Sequence, residues 1–295
     1  MKILVSGATG FIGKPLVAKL RERGDEVVTL TRGPDSENAI HWDLAAGELD
    51  PTAVGGFDAI VHLAGESIAG LWTAGKKRAI MNSRRDGTEM LATAAADASP
   101  KPGVFVSSSA IGFYGSRGDE TLTEESENGE GFLAEVVKVW EDSAQPARDA
   151  GIRTVNLRLG LVLADGGGMM AKVKPLFKLG GGGKLGSGEQ WWSWVTLDDV
   201  VGAFVHAIDT PTMNGPFNVV APNPVTNAEF TKALGSALRR PTFLPAPRFA
   251  LKVAAGEMAD EMLLSSQRGD ASKLLETGFA FRDSQLPEAL ERLFA

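Results

Sequence analysis

No cysteine occurs anywhere in the chain, which removes disulfide frameworks, cysteine-ligated metal centres and thiol nucleophiles together. Histidine is scarce as well. His41, His62 and His206 are the only three, and none stands at a ligand spacing from another, so no metal site is expected. No apolar run approaches the roughly 20 residues of a membrane-spanning helix, and no membrane partner is expected. Basic residues are the minority charge, 30 Lys and Arg against 37 Asp and Glu, for a net charge of −7. They form no cluster of the kind that phosphate backbones require, which speaks against a nucleic-acid partner. A single lysine precedes an apolar strand that the fold needs, so the N-terminus does not read as a secretory signal. The expected location is the cytoplasm. Tyrosine occurs once, as Tyr114, so any phenol chemistry has one possible seat.

With 295 residues, 43% of them hydrophobic, the chain is long enough to bury one large α/β core and a smaller lobe. The stretch Lys2 to Gly13, KILVSGATGFIG, organises the rest. Ile3, Leu4 and Val5 form the short apolar run of a strand buried on both faces. Gly7, Gly10 and Gly13 follow at three-residue spacing, and a helical pattern with Leu16, Val17 and Leu20 on one face comes next. Strand, glycine turn and helix in this order make a dinucleotide site: the turn is tight, its backbone comes close to a pyrophosphate, and the phosphates rest on amides at the positive end of the helix.

Further strands are expected at Glu26–Arg32, Ala39–Trp42, Phe57–Leu63, Gly103–Ser107 and Ile152–Leu159, with long helices at Lys76–Ala96 and Phe132–Ala147 between them. Strand and helix alternate, which predicts a doubly wound, parallel α/β sheet. The second strand ends in Thr31 and Arg32 rather than in an acid. A guanidinium there pairs with the 2′-phosphate of NADP; the alternative is an ordinary solvated strand-end arginine. Asp43, at the end of the third strand, is placed to meet the adenine edge. Leu63, Ala64 and Gly65 leave the fourth strand as small or apolar residues that let a nucleotide pass close to the backbone.

Past Leu163 the composition changes. Gly166–Gly168 and Gly180–Gly183 bracket a helix, and Gly186 and Gly188 precede Trp191, Trp192 and Trp194, residues that line a flat apolar cleft or pack in a core. A helix is expected over Val200–Ile208 with Asp198 as its cap, then a strand over Phe217–Val220 that rejoins the sheet. Thr226 and Glu229 have the spacing of a capping box. The expected division is 1–165 with 190–221 as the nucleotide-binding domain, and 166–189 with 222–295 as a second lobe.

Taken together, SGATGFIG, HLAGE at His62–Glu66, SSSAIGFYG at Ser107–Gly115, LRLGLVL at Leu157–Leu163 and GSGEQWWSWVTLDD at Gly186–Asp199 carry a family likeness. The chain resembles the extended short-chain dehydrogenase/reductases of the NAD(P)-dependent epimerase/dehydratase superfamily. Within them it is most similar to an atypical subgroup, the epimerase family proteins, whose small C-terminal domain APNPVTNAEFTKAL and GEMADEMLLSSQ resemble. The likeness covers essentially the whole chain. It implies a Rossmann domain that binds NADP and a C-terminal lobe closing over a substrate cleft. The cofactor residues expected are Gly7, Thr9, Gly10, Phe11, Ile12, Gly13, Thr31, Arg32, Asp43, Leu63, Ala64, Gly65, Ser107 and Val162.

The likeness also implies a catalytic serine and a tyrosine followed four residues later by lysine. Here the sequence departs. The helix that should carry the pair reads Phe132, Leu133, Ala134, Glu135, Val136, Val137, Lys138, without a tyrosine, and position 118 is glycine. The atypical subgroup itself lacks these residues. Ser109 stands where the family serine would be and orients a carbonyl; Tyr114, five residues further, is the candidate acid, or else packs its ring beneath the loop. Glu66 is the other candidate acid, or a helix cap. Two functions follow: an NADP-dependent oxidoreductase or epimerase of an unidentified small molecule, or an NADP(H)-binding sensor without turnover. The oligomeric state is open between monomer and homodimer.

Overall fold

The computed structural model describes all residues from Met1 to Ala295. Eight strands form the central sheet, and we number them along the chain: β1 (Lys2–Ser6), β2 (Glu26–Thr31), β3 (Ala39–Asp43), β4 (Glu48–Leu49), β5 (Ala59–His62), β6 (Val104–Ala110), β7 (Arg153–Leu159) and β8 (Gly215–Val219). Their spatial order is β8-β7-β6-β5-β1-β2-β3-β4. Every neighbouring pair is parallel except β3 with β4. The chain therefore winds outward from β1 in one direction and then returns to the other side through β5, leaving a switch point between β1 and β5. Ligands of open α/β sheets bind outside the carboxyl ends of the strands at such a point.

Helices cover both faces. Helix α1 (Gly13–Glu22) and α6 (Leu197–Asp209) pack on the face that carries Ile3, Val5, Val61, Val106 and Leu157. Helices α2 (Ala74–Asp97), α3 (Phe132–Asp142) and α4 (Gln145–Asp149) lie on the side of Leu4, Ile60 and Phe105. Strand residues alternate between the two cores, as a sheet buried on both faces requires. A third apolar cluster joins α5 (Met170–Lys178), α7 (Asn227–Leu238) and α10 (Leu286–Phe294) around Trp192, Trp194 and Phe230. Two short helices complete the list, α8 (Arg248–Ala255) and α9 (Ser272–Glu276).

Several local expectations are revised. The helix expected over Phe132–Ala147 is two: α3 stops at Asp142, and α4 restarts with Pro146 in its first turn, where a missing N–H costs nothing. The cap of α6 is Thr196, whose hydroxyl accepts from the Asp199 amide, rather than Asp198, which lies inside the first turn. The Thr226–Glu229 capping box is present with both reciprocal hydrogen bonds. Trp192 and Trp194 are core residues, and only Trp191 is half-exposed, its ring beneath the Arg268 guanidinium.

Candidate functional site

The glycine turn is pressed against the exit of β5. Gly7 has a φ of +68°, and a β-carbon on it would lie 2.7 Å from the carbonyl carbon of Leu63 and 2.8 Å from the Ala64 nitrogen. No other residue fits. A β-carbon on Gly13 would meet the Gly7 carbonyl oxygen at 2.1 Å, so α1 can begin directly behind the turn only with glycine there. The turn is closed by Gly10 N–H to Gly7 O at 2.9 Å and Lys14 N–H to Gly10 O at 3.1 Å. The amides of Phe11, Ile12 and Gly13 donate to no carbonyl, α1 has no capping side chain, and its first turn holds no acid. Free amides at a positive helix end, uncapped from within, are what an anion needs. Thr9, Gly10 and Phe11 stand exposed around them.

The neighbouring strand ends complete the crescent. At the end of β2, the Thr31 hydroxyl accepts from the Gly33 amide at 3.0 Å, while Arg32 is exposed and free of any ion pair. Asp43 Oδ1 accepts from Ala45 N–H at 2.8 Å and Ala46 N–H at 3.3 Å, closing the turn after β3. At the end of β5, the Leu63 and Ala64 amides donate to Ser6 Oγ at 3.1 and 3.3 Å. Gly65 lies over Arg84 of α2, whose guanidinium carbon would be 3.4 Å from a β-carbon at that position. Ser107 is buried on β6 and donates to the Ser108 carbonyl at 3.0 Å. Val162 belongs to a short strand, Leu161–Leu163, paired with Trp194–Thr196 beside the sheet. The expected cofactor residues thus all fall along the carboxyl edge of the sheet or beside it.

The catalytic expectations fare differently. Tyr114 is completely buried. Its hydroxyl donates to Asn218 Oδ1 at 2.7 Å and accepts from Arg158 Nη1 at 2.9 Å, and burial pushes its pKa up to about 12. Ser109 is buried too and donates to Glu141 Oε1. The same Glu141 carboxylate takes Arg158 in a two-pronged ion pair, Nε to Oε1 and Nη2 to Oε2, both at 2.8 Å. The expectation that Ser109 and Tyr114 meet one substrate oxygen is therefore corrected: both hydroxyls belong to a closed network that ties β6, β7 and β8 to α3. Glu66 is exposed at the exit of β5, with its carboxylate paired to Lys76.

On α3, Leu133 and Val137 are the pair four residues apart that faces the turn after β6; a β-carbon on Gly112 would be 3.7 Å from Leu133 Cβ and 3.8 Å from Val137 Cγ2. Lys138 points to solvent and pairs with Asp142. Three polar residues that hold this region together are not singled out by the sequence. Arg158 and Glu141 carried a signal, a charge inside the apolar strand IRTVNLRL and an acid on a buried helix face. Glu261 carried none: it reaches from the C-terminal segment to the start of α3, where its two oxygens accept from the Phe132 and Leu133 amides at 2.7 Å each. Arg84 of α2 donates to the carbonyls of Glu66 at 3.0 Å and Ile80 at 3.3 Å and has no carboxylate partner. Burial lowers its pKa to about 10, so it stays charged at neutral pH.

A doubly wound sheet with an uncapped, glycine-edged helix start at its switch point defines a dinucleotide-binding α/β protein of the Rossmann kind. Residues 3–220 match the NAD dependent epimerase/dehydratase family, and residues 246–293 match a domain of unknown function, DUF1731. The chain belongs to that epimerase/dehydratase family. It is 41% identical over 290 residues to the epimerase family protein Mb2239 of Mycobacterium bovis, covering 98% of this chain and 96% of that one. It is 34% identical over 301 residues to the epimerase family protein YfhF of Bacillus subtilis, covering 100% and 98%. The crystal structure of human epimerase family protein SDR39U1 with NADPH superposes with a TM-score of 0.91 at 35% identity, covering 99% of each chain.

Proposed function

We propose that this protein binds NADP(H) along the carboxyl edge of its sheet and is an oxidoreductase- or epimerase-type enzyme acting on a small molecule held against the second lobe, residues 166–189 and 222–295. The observation that carries the reading is the pairing of free amides at the start of α1 with an unpaired guanidinium, Arg32, at the end of the next strand. The amides suit a pyrophosphate, and Arg32 suits the 2′-phosphate that distinguishes NADP from NAD. The human relative crystallised with NADPH supports the choice. We further propose a cytoplasmic location. No helix is long and apolar enough to cross a membrane.

NADPH would supply the hydride. The chain's part is to hold it: Gly7, Gly10 and Gly13 admit the phosphates, Leu63–Gly65 flank the nucleotide, and the Leu133 and Val137 side chains keep the region above β6 apolar. The usual pair of tyrosine and lysine is absent from α3, and the proton that a carbonyl oxygen would gain on reduction falls to another group. Glu66 is an exposed carboxyl on that side of the sheet, held beside Lys76.

The missing pair also favours a second reading, an NADP(H)-binding sensor without turnover. One experiment separates the two. NADPH and NADH are titrated by calorimetry, and a panel of carbonyl compounds is then screened by NADPH absorbance. Turnover of any carbonyl establishes the enzyme; tight NADPH binding with a silent panel favours the sensor; equal, weak affinity for both nucleotides defeats the cofactor assignment that underlies both.

A further inference from the structure

Five buried side-chain atoms have no hydrogen-bond partner in the protein, and four of them, His62 Nε2, Thr88 Oγ1, Trp140 Nε1 and Asn156 Oδ1, come from elements packed on one another. The floor is a row across four adjacent strands. Ser6 of β1 is in register with His62 of β5, His62 with Ser107 of β6, and Ser107 with Asn156 of β7. All four are buried, and the alternation of the strands turns them toward α2 and α3, the side of Leu4, Ile60 and Phe105. The roof is made by those helices. Thr88 lies one turn after Arg84 on α2, and the Arg84 guanidinium stacks on the Trp140 ring of α3 with its carbon 4.8 Å from the centroid.

The proton inventory of this layer can be assigned. Ser6 Oγ accepts from the amides of Leu63 and Ala64, which fills both its lone pairs, so its own proton goes to His62 Nδ1 at 2.7 Å. His62 is neutral, since burial lowers its pKa to about 4, and its remaining proton therefore sits on Nε2. The atoms wholly cut off from solvent are then two N–H donors (His62 and Trp140), one carbonyl acceptor (Asn156) and one hydroxyl (Thr88). Donors and an acceptor left over side by side suit water, which accepts two hydrogen bonds and donates two.

We propose that the space between the His62–Ser107–Asn156 row and helices α2 and α3 is an internal water site. Each group left dry would cost on the order of 1–3 kcal/mol, so four together are difficult to reconcile with a marginally stable fold, whereas one or two waters with 2–4 polar partners each remove the penalty. The Asn156 carbonyl oxygen selects water over a small anion, which the neighbouring Arg84 charge would otherwise attract. The site lies beneath Gly65 and Arg84, inside the protein, and does not depend on what the cleft binds.

Three measurements on the whole protein test this. A high-resolution crystal structure should show a water within about 3.2 Å of His62 Nε2 and of one or more of the other three atoms. Oxygen-17 relaxation dispersion in solution should report a long-lived internal water that Asn156→Leu removes. Thr88→Val, which keeps the shape and removes the hydroxyl, should lower Tm by roughly 2–6 °C because it strips a partner from the bound water. An empty site predicts the opposite sign, since valine would then relieve a buried unpaired hydroxyl. A rise in Tm with Thr88→Val, a dry crystallographic site, or an anion peak in it would each overturn the proposal.

Discussion

The ring of Phe11 rests so closely on the backbone of Gly167 that a β-carbon on Gly167 would lie 2.2 Å from Phe11 Cε2. A β-carbon on Gly168 would lie 3.2 Å from Cε1, at the other edge of the ring. A loop from the glycine-rich segment is thereby seated on the turn whose free amides we assign to the pyrophosphate. Gly167→Val should displace the ring, which is 38% exposed and has room to swing, and shift the Phe11 amide with it. NADPH affinity should fall by about three- to tenfold, roughly 1 kcal/mol, with Tm changed by no more than a degree or two. Calorimetry and a thermal melt on the same preparation check both halves; undiminished affinity would mean that loop and turn are independent.

Arg32 makes no ion pair in the protein, so exchanging it leaves no partner stranded. Arg32→Asp should abolish the preference for NADPH over NADH, which we expect to be at least about tenfold, or 1.4 kcal/mol, the size of one or two charge-assisted hydrogen bonds. Stability should stay within roughly 0.5 kcal/mol of the parent, because an exposed, unpaired side chain contributes little to the fold. Titration of both nucleotides against both proteins gives the answer, and a preference that survives the exchange removes Arg32 from the site.

Tyr114 is expected to act on stability. In Tyr114→Phe, Asn218 Oδ1 loses its donor and one Arg158 N–H loses its acceptor inside a buried network, and leaving such groups unsatisfied costs about 1–3 kcal/mol. Chemical denaturation should show a lower midpoint with an unchanged slope. Any turnover per folded molecule should be retained, and a drop of a hundredfold or more without loss of stability would restore the tyrosine as an acid.

The contrast between Gly13 and Tyr114 shows which parts of this site are legible in a sequence. Gly13, Gly7 and the apolar run before them are local: strand, turn and helix constraints all act within a dozen residues, and the register of glycines writes them directly. The sheet was readable for the same reason, since each βα unit carries its own apolar pattern. Tyr114 depends on Asn218, 104 positions away, and on Arg158, 44 away, and no periodicity reports such a pairing. Glu261 at the start of α3 is the same case across 129 residues. Its partners are backbone amides, which leave no trace in composition. Two local features mislead in the sequence: a run of helix formers hides the break at Pro146, and Asp198 draws the cap two residues inward from Thr196, which provides it.

His62 gives the fold a pH dependence whose sign can be worked out. Its ring is wholly buried, with Nδ1 held by Ser6 and its flanks covered by Trp42 and Phe105 at centroid distances of 6.2 and 6.3 Å. Desolvation, with the nearby Arg84 charge adding to it, lowers its pKa from 6.5 to about 4. Between those values the unfolded chain holds a proton that the folded protein refuses, so stability rises with pH across the window. The contribution is therefore complete above about pH 6.5 and is lost as pH falls toward 4, by an amount on the order of 3 kcal/mol. The carboxylates complicate the lower end: Asp25 and Asp283 are depressed and lose stability with acid, whereas Glu124 and Asp199 are raised by burial and act in the opposite direction. A difference measurement isolates the histidine. His62→Gln cannot titrate here, so the gap in unfolding free energy between parent and variant should be largest at pH 7 and shrink steadily to pH 4. A gap that stays constant across that range would mean that His62 takes up its proton in the folded protein as readily as in the unfolded chain, and a gap that widens toward pH 4 would mean that the folded protein holds the ring protonated; the latter would remove the neutral tautomer assigned to the layer beneath Gly65.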